Sequence, residues 1–159
     1  MQFFVEGIPR PQGSKRGFVR KGRVVLVEVS KHLAPWRERV AAAAAAHAQD
    51  GELIGPVVVE LEFVMPRPKA MSMRMPTPWH VKRPDVDKLT RAVLDALTGS
   101  CFVDDSQVVA INAHKRTAEP LEPVGVYVWC SSAQKWLNGK NKAGYGDMVT
   151  QWPNISPAF

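Results

Sequence analysis

Only two cysteines, Cys101 and Cys130, occur in the 159 residues. That excludes a disulfide framework and a cysteine-based zinc site, and both thiols are expected to be small core residues. The four histidines show no metal-ligand spacing. Long apolar runs are also missing. No window approaches the roughly 20 uninterrupted apolar residues of a membrane helix, so no membrane partner is expected. Met1-Gln2-Phe3-Phe4-Val5-Glu6 lacks the basic and then apolar pattern of a secretory leader, so a cytoplasmic location is expected. There is no internal repeat and no glycine-rich phosphate loop.

What is present is a basic excess and an ordinary core. Lys and Arg total 21 against 15 Asp and Glu, a formal charge of +6. That balance suits a polyanionic partner such as nucleic acid. The length and the 45% apolar content fit one domain around one core.

Residues 2–8 and 22–29 are rich in Val and Phe and flank a basic loop that begins Pro9-Arg10-Pro11-Gln12-Gly13, which predicts two strands and a turn. Residues 35–49 hold Val40 and six consecutive alanines, ending before Gly51, which predicts a first helix. Residues 56–65 and 124–130 alternate as strands of one sheet. Between Val86 and Leu97, the residues Leu89, Ala92, Val93, Ala96 and Leu97 recur at helical spacing. That predicts a second helix, with Asp87 as N-cap and Gly99 as its stop. Residues 107–113 read as a further strand. The expected fold is α+β, a mixed sheet with two main helices in the order β-β-α-β-α-β-β. A domain over 1–130 is expected to be followed by a polar, loosely ordered tail over 131–159.

The chemistry lies in the acids. Asp85 and Asp87 flank Val86 just before the second helix, where an extended segment points both carboxylates to one face. Their repulsion is offset most economically by a hard divalent cation. Asp104 and Asp105 form a second pair past that helix, and three or four acids are expected to converge on one metal. Each feature also has a plain reading, as helix cap or turn residue. Oxygen ligands favour magnesium over zinc, with manganese as a substitute. Arg91 lies four residues after Asp87, on the same face, within reach of a phosphate at the metal. Asp95 is expected to pair with Arg91 on the helix surface, and Lys88 to point away from the acids.

Three cation groups bracket these acids. The first comprises Arg10, Lys15, Arg16, Arg20, Lys21 and Arg23. The second, between Val64 and Pro84, has Arg67, Lys69, Arg74, Lys82 and Arg83 and no acid. The third is His114-Lys115-Arg116. With Lys88 added and Arg67 and His114 left out, these are the candidate DNA contacts. Cations that draw in a backbone beside a metal that activates water are what phosphodiester hydrolysis requires.

The run from Arg83-Pro84-Asp85-Val86-Asp87-Lys88-Leu89 to Asp95-Ala96-Leu97, followed by Asp104-Asp105 and then Val108, resembles the RusA family of Holliday junction resolvases. Such proteins carry Pro-Asp-x-Asp-Asn-Leu-x-Lys, a helix ending Asp-Ala-Leu and a following Asp-Asp-x-x-Val. The resemblance runs from about Gly7 to Cys130 and includes the loop Gly7 to Arg16. It implies a small homodimer that nicks four-way junctions symmetrically with magnesium, in recombination, repair or phage DNA processing in a bacterial host. It places catalytic roles on Asp85, Asp87, Asp105 and Arg91, and metal binding on Asp85, Asp87 and Asp105 with Asp104 adjacent. Lys88 stands where the family usually has Asn, and Arg91 where it commonly has Lys, a swap that removes easy proton donation. The alternatives are a nuclease for other branched DNA, a catalytically weak junction-binding protein, and a nucleotide-sugar transferase, the last disfavoured by size and the missing phosphate loop.

Overall fold

The computed structural model describes residues 1–134 apart from 14, 21, 29, 49, 50 and 76, and excludes the side chains of 15–18, 20 and 25–28. The expected tail is therefore outside the described residues from 135 onward.

The element order is β1 (Gln2–Glu6), β2 (Lys15–Arg20), β3 (Arg23–Glu28), α1 (Leu33–His47), β4 (Val57–Met65), α2 (Val86–Leu97), a 3-10 turn (Asp105–Gln107), β5 (Val108–Thr117) and β6 (Gly125–Ser132). The class is α+β, with one strand more than expected. That strand is β2, hidden in the sequence by its cations and glycine. It pairs antiparallel with β3 in a separate two-stranded sheet, Arg20 opposite Arg23, around Gly22 at φ 71°. The positive φ is open to glycine without a Cβ penalty.

The main sheet has the order β1-β6-β4-β5 and is mixed: β4 runs parallel to β5 and antiparallel to β6, which is antiparallel to β1. Strand β4 is central, and all of its residues except Glu60 are buried, which accounts for its nearly continuous apolar run. Its residues Val57, Val59, Leu61, Phe63 and Met65 join Val126 and Val128 of β6 and Phe3 and Val5 of β1 in one core. Both helices close that core. Helix α1 contributes Trp36, Val40 and Ala44, and α2 contributes Leu89, Val93, Ala96 and Leu97. Each large side chain buried here stabilises by about 1.5–3 kcal/mol.

Helix α2 stops where the sequence indicates, at Thr98 with Gly99 at φ 77°. Its start differs. Asp85, not Asp87, is the N-cap, with an extended backbone at φ −72° and ψ 143° and no side-chain cap bond. Asp87 lies within the first turn. Cys101 and Cys130 are buried free thiols. No helix among the described residues is long and apolar enough to cross a membrane.

Candidate functional site

The segment 66–85 carries the chain from the end of β4 to the start of α2, and hydrogen bonds tie several of its described residues to one another and to the sheet. Arg67 donates to the carbonyls of Ser72 at 2.6 Å, Met75 at 2.9 Å and Ala118 at 3.3 Å, and to the Thr77 hydroxyl at 3.1 Å. Lys115 of β5 donates from Nζ to the carbonyls of Lys82 at 2.7 Å and Pro84 at 2.5 Å. The approach to Asp85 is thus tied to the sheet from beneath. Trp79, 63% exposed, rests edge-on against His114 with ring centroids 5.9 Å apart.

Asp85 and Asp87 are both exposed at the N-terminal end of α2, where the helix dipole favours anions. Lys88 Nζ lies 3.2 Å from Asp85 Oδ2. It therefore turns back toward the acids rather than away, as a residue three positions on in a helix is placed to do. Arg91 is exposed one turn beyond Asp87. Its expected pairing with Asp95 is absent, because Asp95 binds Arg37 of α1 at 3.0 Å. That ion pair fastens the two helices to each other.

The second acidic pair sits beyond the other end of α2. The Asp104 side chain accepts from Ser106 N at 2.9 Å, and Gln107 Oε1 accepts from Asp104 N at 3.0 Å. Gln107 Nε2 also donates to the carbonyls of Leu53 at 3.0 Å and Gly55 at 2.9 Å. The hydrogen bonds from Ser106 hold the Asp104 carboxyl below its usual range. The 3-10 turn is thereby anchored near Leu53, which itself pairs with Phe102 just past the end of α2. Roughly 16 Å of helix separates Asp87 from Thr98 at 1.5 Å per residue. The expected convergence of three or four acids is therefore not seen among the described residues of this chain. Among the described residues, no three His, Cys, Asp or Glu side chains are gathered as a metal set. The two carboxylates at the start of α2 do fit magnesium, which is usually held by one or two carboxylates and completes its shell with water and phosphate.

The cation groups divide. Arg10, Arg83 and Lys88 line a cavity of about 650 Å³ that also includes Asp85 and His80, between the Ile8–Gly13 loop and the segment before α2. Burial lowers the His80 pKa, opposed by a bond to the Arg83 backbone. Arg23, Lys69, Arg74 and Lys82 are exposed. Lys21 and the side chains of Lys15, Arg16 and Arg20 lie outside the described residues. The third group is turned inward. Arg116, 13% exposed, binds Glu122 through two bonds of 2.6 Å and also binds buried Glu62. These bonds, those to Glu122 foremost, raise its pKa above the ordinary arginine value. Arg116 was expected at the DNA surface. Its donors face two glutamates instead, since buried Glu62 without a cation beside it would be left as an uncompensated buried charge. Lys115 is likewise engaged with backbone carbonyls. Burial lowers the His114 pKa, against the opposing pull of Glu62.

Gln12 is a residue of this cavity that nothing in the sequence marks. Its backbone N–H donates to the Lys88 carbonyl at 2.9 Å, and its side-chain Oε1 is buried without a hydrogen-bond partner. A glutamine among turn formers carries no periodic signal, and only the packing of this loop on α2 exposes its position.

Residues 7–130 match the family model described as Endodeoxyribonuclease RusA. The chain is also 31% identical over 131 residues to the uncharacterized protein YqaN of Bacillus subtilis (strain 168), covering 75% of this chain and 89% of that protein.

Proposed function

Because the chain belongs to the endodeoxyribonuclease RusA family, and so to the crossover junction endodeoxyribonucleases, we propose that it resolves four-way DNA junctions by paired symmetric cleavage that depends on magnesium or manganese. The observation that carries this reading is the placement of two exposed carboxylates, Asp85 and Asp87, at a helix N-terminus beside a cavity rimmed by Arg10, Arg83 and Lys88. The proposed setting is recombination, repair or phage DNA processing in a bacterial cytoplasm.

Asp85 and Asp87 hold the metal in this proposal, and Asp105 is the third acid. The Asp104 carboxylate is engaged in capping its own turn. Magnesium held there would supply charge stabilisation at the scissile phosphate and would make a water easier to deprotonate into a nucleophile. The protein side chains do the rest. Arg10, Arg83, Lys69, Arg74 and Lys82 draw in the phosphate backbone. Lys88 offsets the repulsion between Asp85 and Asp87 until a metal arrives. Arg91 holds a phosphate oxygen one turn along α2, as a permanently charged fork rather than a proton donor.

A homodimer fits the same reading, since two symmetry-related sites suit a nearly two-fold branched substrate. Support comes from β5, an edge strand whose Val109 and Ile111 are 62% and 47% exposed. Antiparallel pairing of two β5 edges carries the 3-10 turn of each copy, with Asp105, toward the start of α2 in the other. Mixing Asp87→Asn with Asp105→Asn protein tests this, because a site shared between copies regains single nicks in the mixed dimer.

The deciding experiment is cleavage of a labelled four-way junction beside matched duplex, flap and fork DNAs, with magnesium or EDTA, using wild type and Asp87→Asn. Paired nicks in the junction alone, lost with EDTA or the substitution, are expected. Tight junction binding without nicks would favour a binding protein, a reading to which the Lys88–Asp85 ion pair lends weight.

A further inference from the structure

The cavity beside Asp85 is built for more than a phosphate. Its rim is cationic, but its walls are aliphatic and prolyl: Pro9 and Pro11 from the N-terminal loop, Met65 and Pro66 from the end of β4, and Pro84 before α2. A backbone phosphate gains nothing from such walls. The flat face of a nucleobase does, and about 650 Å³ lies within the range of clefts that enclose whole ligands.

Gln12 is among the residues that line this cavity, and its side chain carries an acceptor that no phosphate can complete. Gln12 Oε1 is buried without a partner, while the Gln12 backbone is fastened to the Lys88 carbonyl. A buried acceptor left unpaired costs free energy, and it persists where a ligand completes it. A phosphate is an acceptor itself and cannot satisfy Oε1. The amino or ring N–H groups on the edge of a base can.

We propose that the cavity receives one nucleobase unstacked from the branch point, next to the scissile phosphate, and that the Gln12 amide, closed off from solvent in the free protein, turns into the cavity to accept a hydrogen bond from its edge. This rests on the junction-nuclease reading. Taking a base out of the stack is least costly where pairing is already weakened, and a branch point supplies that condition. Arg10 and Arg83 on the rim then hold the flanking phosphates, and Gln12 becomes a specificity-determining residue for the nucleotide at the cut.

The test uses the full chain in EDTA, with junctions carrying a single 2-aminopurine at each position within two nucleotides of the branch. A several-fold fluorescence rise on binding, at one position, is expected. Junction binding of unchanged affinity with no rise at any position would overturn the cavity proposal and leave the nuclease reading standing. Absence of binding to any branched DNA would retire both. In magnesium, Gln12→Leu keeps the side-chain bulk but removes the acceptor. It is expected to flatten the nucleotide preference of the nicks by about tenfold, with a melting curve like that of wild type. Unaltered preference in a folded Gln12→Leu protein would remove Gln12 from the reading of the base.

Discussion

The two ends of α2 each carry an aspartate pair, and they are put to opposite uses. At the start, Asp85 caps the helix with its backbone alone, leaving both carboxylates at the surface. Beyond the end, Asp104 closes a reciprocal cap with Ser106 and Gln107, and Gln107 reaches across to Leu53 and Gly55. Equal acidity in a sequence therefore does not mean equal availability. A carboxylate that satisfies its own turn is structural; one that leaves the turn to be held by others is open to a ligand.

The sharpest way to break this comparison is substitution at both ends. Asp87→Asn is expected to reduce junction nicking by at least about 100-fold, since even outer-shell partners of a metal are worth 10–100-fold, while the melting temperature is unchanged. Asp104→Ala should show the converse, a lower melting temperature with most nicking retained. A reversed pattern in paired gel and calorimetric assays would mean the two turns have been assigned the wrong way round. Asp105→Asn sharpens the contrast. Loss of nicking there without loss of stability separates Asp105 from its neighbour.

Next in size is Lys115→Met. It removes a half-buried charge that is engaged with the carbonyls of Lys82 and Pro84, and small misplacements near reacting groups are costly. Nicking is expected to fall about tenfold with junction affinity little changed; equal loss of both would mean that Lys115 meets DNA. Gln107→Ala should cost about 1–2 kcal/mol of unfolding free energy in urea titration, with nicking close to wild type.

The smallest effect is in pH. The folded-state pKa values of Asp104 and Glu122 are depressed, by the bonds from Ser106 and from Arg116 respectively. A depressed carboxyl contributes stability that is fully present above its unfolded value and lost as pH falls through the folded one. With unfolded values near ~3.9 and ~4.3, the melting temperature should hold above about pH 5 and decline below it. Arg116→Met should remove the Glu122 part of that decline. A melting temperature that rises on acidification would contradict both assignments.

Much of this was legible in the residues. The spacing of Leu89, Val93, Ala96 and Leu97 fixes α2 because a buried helical face has few alternatives, and the run Val57–Met65 reads as a strand, although its alternation does not tell that it is the central one. The start of α2 was displaced by one step of the Asp-x-Asp, since either aspartate can cap and periodicity does not choose between them. The β2–β3 hairpin was half seen, because cations and a glycine mask the strand signal of Phe18 and Val19. What sequence could not convey is direction in space. It placed Asp87 and Asp105 eighteen positions apart with a helix between them, and proximity in the chain says nothing of which end of that helix each occupies. The same holds for Arg67, Lys115 and Arg116, which count as surface charge in composition and yet face carbonyls or glutamates inside.

Arg67 has a consequence of another kind. By gripping Ser72, Met75, Thr77 and Ala118 at once, it acts as a noncovalent crosslink that divides the long connection between β4 and α2 into two short closures. The entropy of closing a chain grows only with the logarithm of its length, so lengthening the outer closure around Met71–Arg74 changes little. The inner one, from Trp79 to Asp85, begins at a fixed post. Insertions at Met73 should therefore be absorbed without moving Asp85, whereas a single methylene's change at Arg67 would be felt along the whole approach to the site.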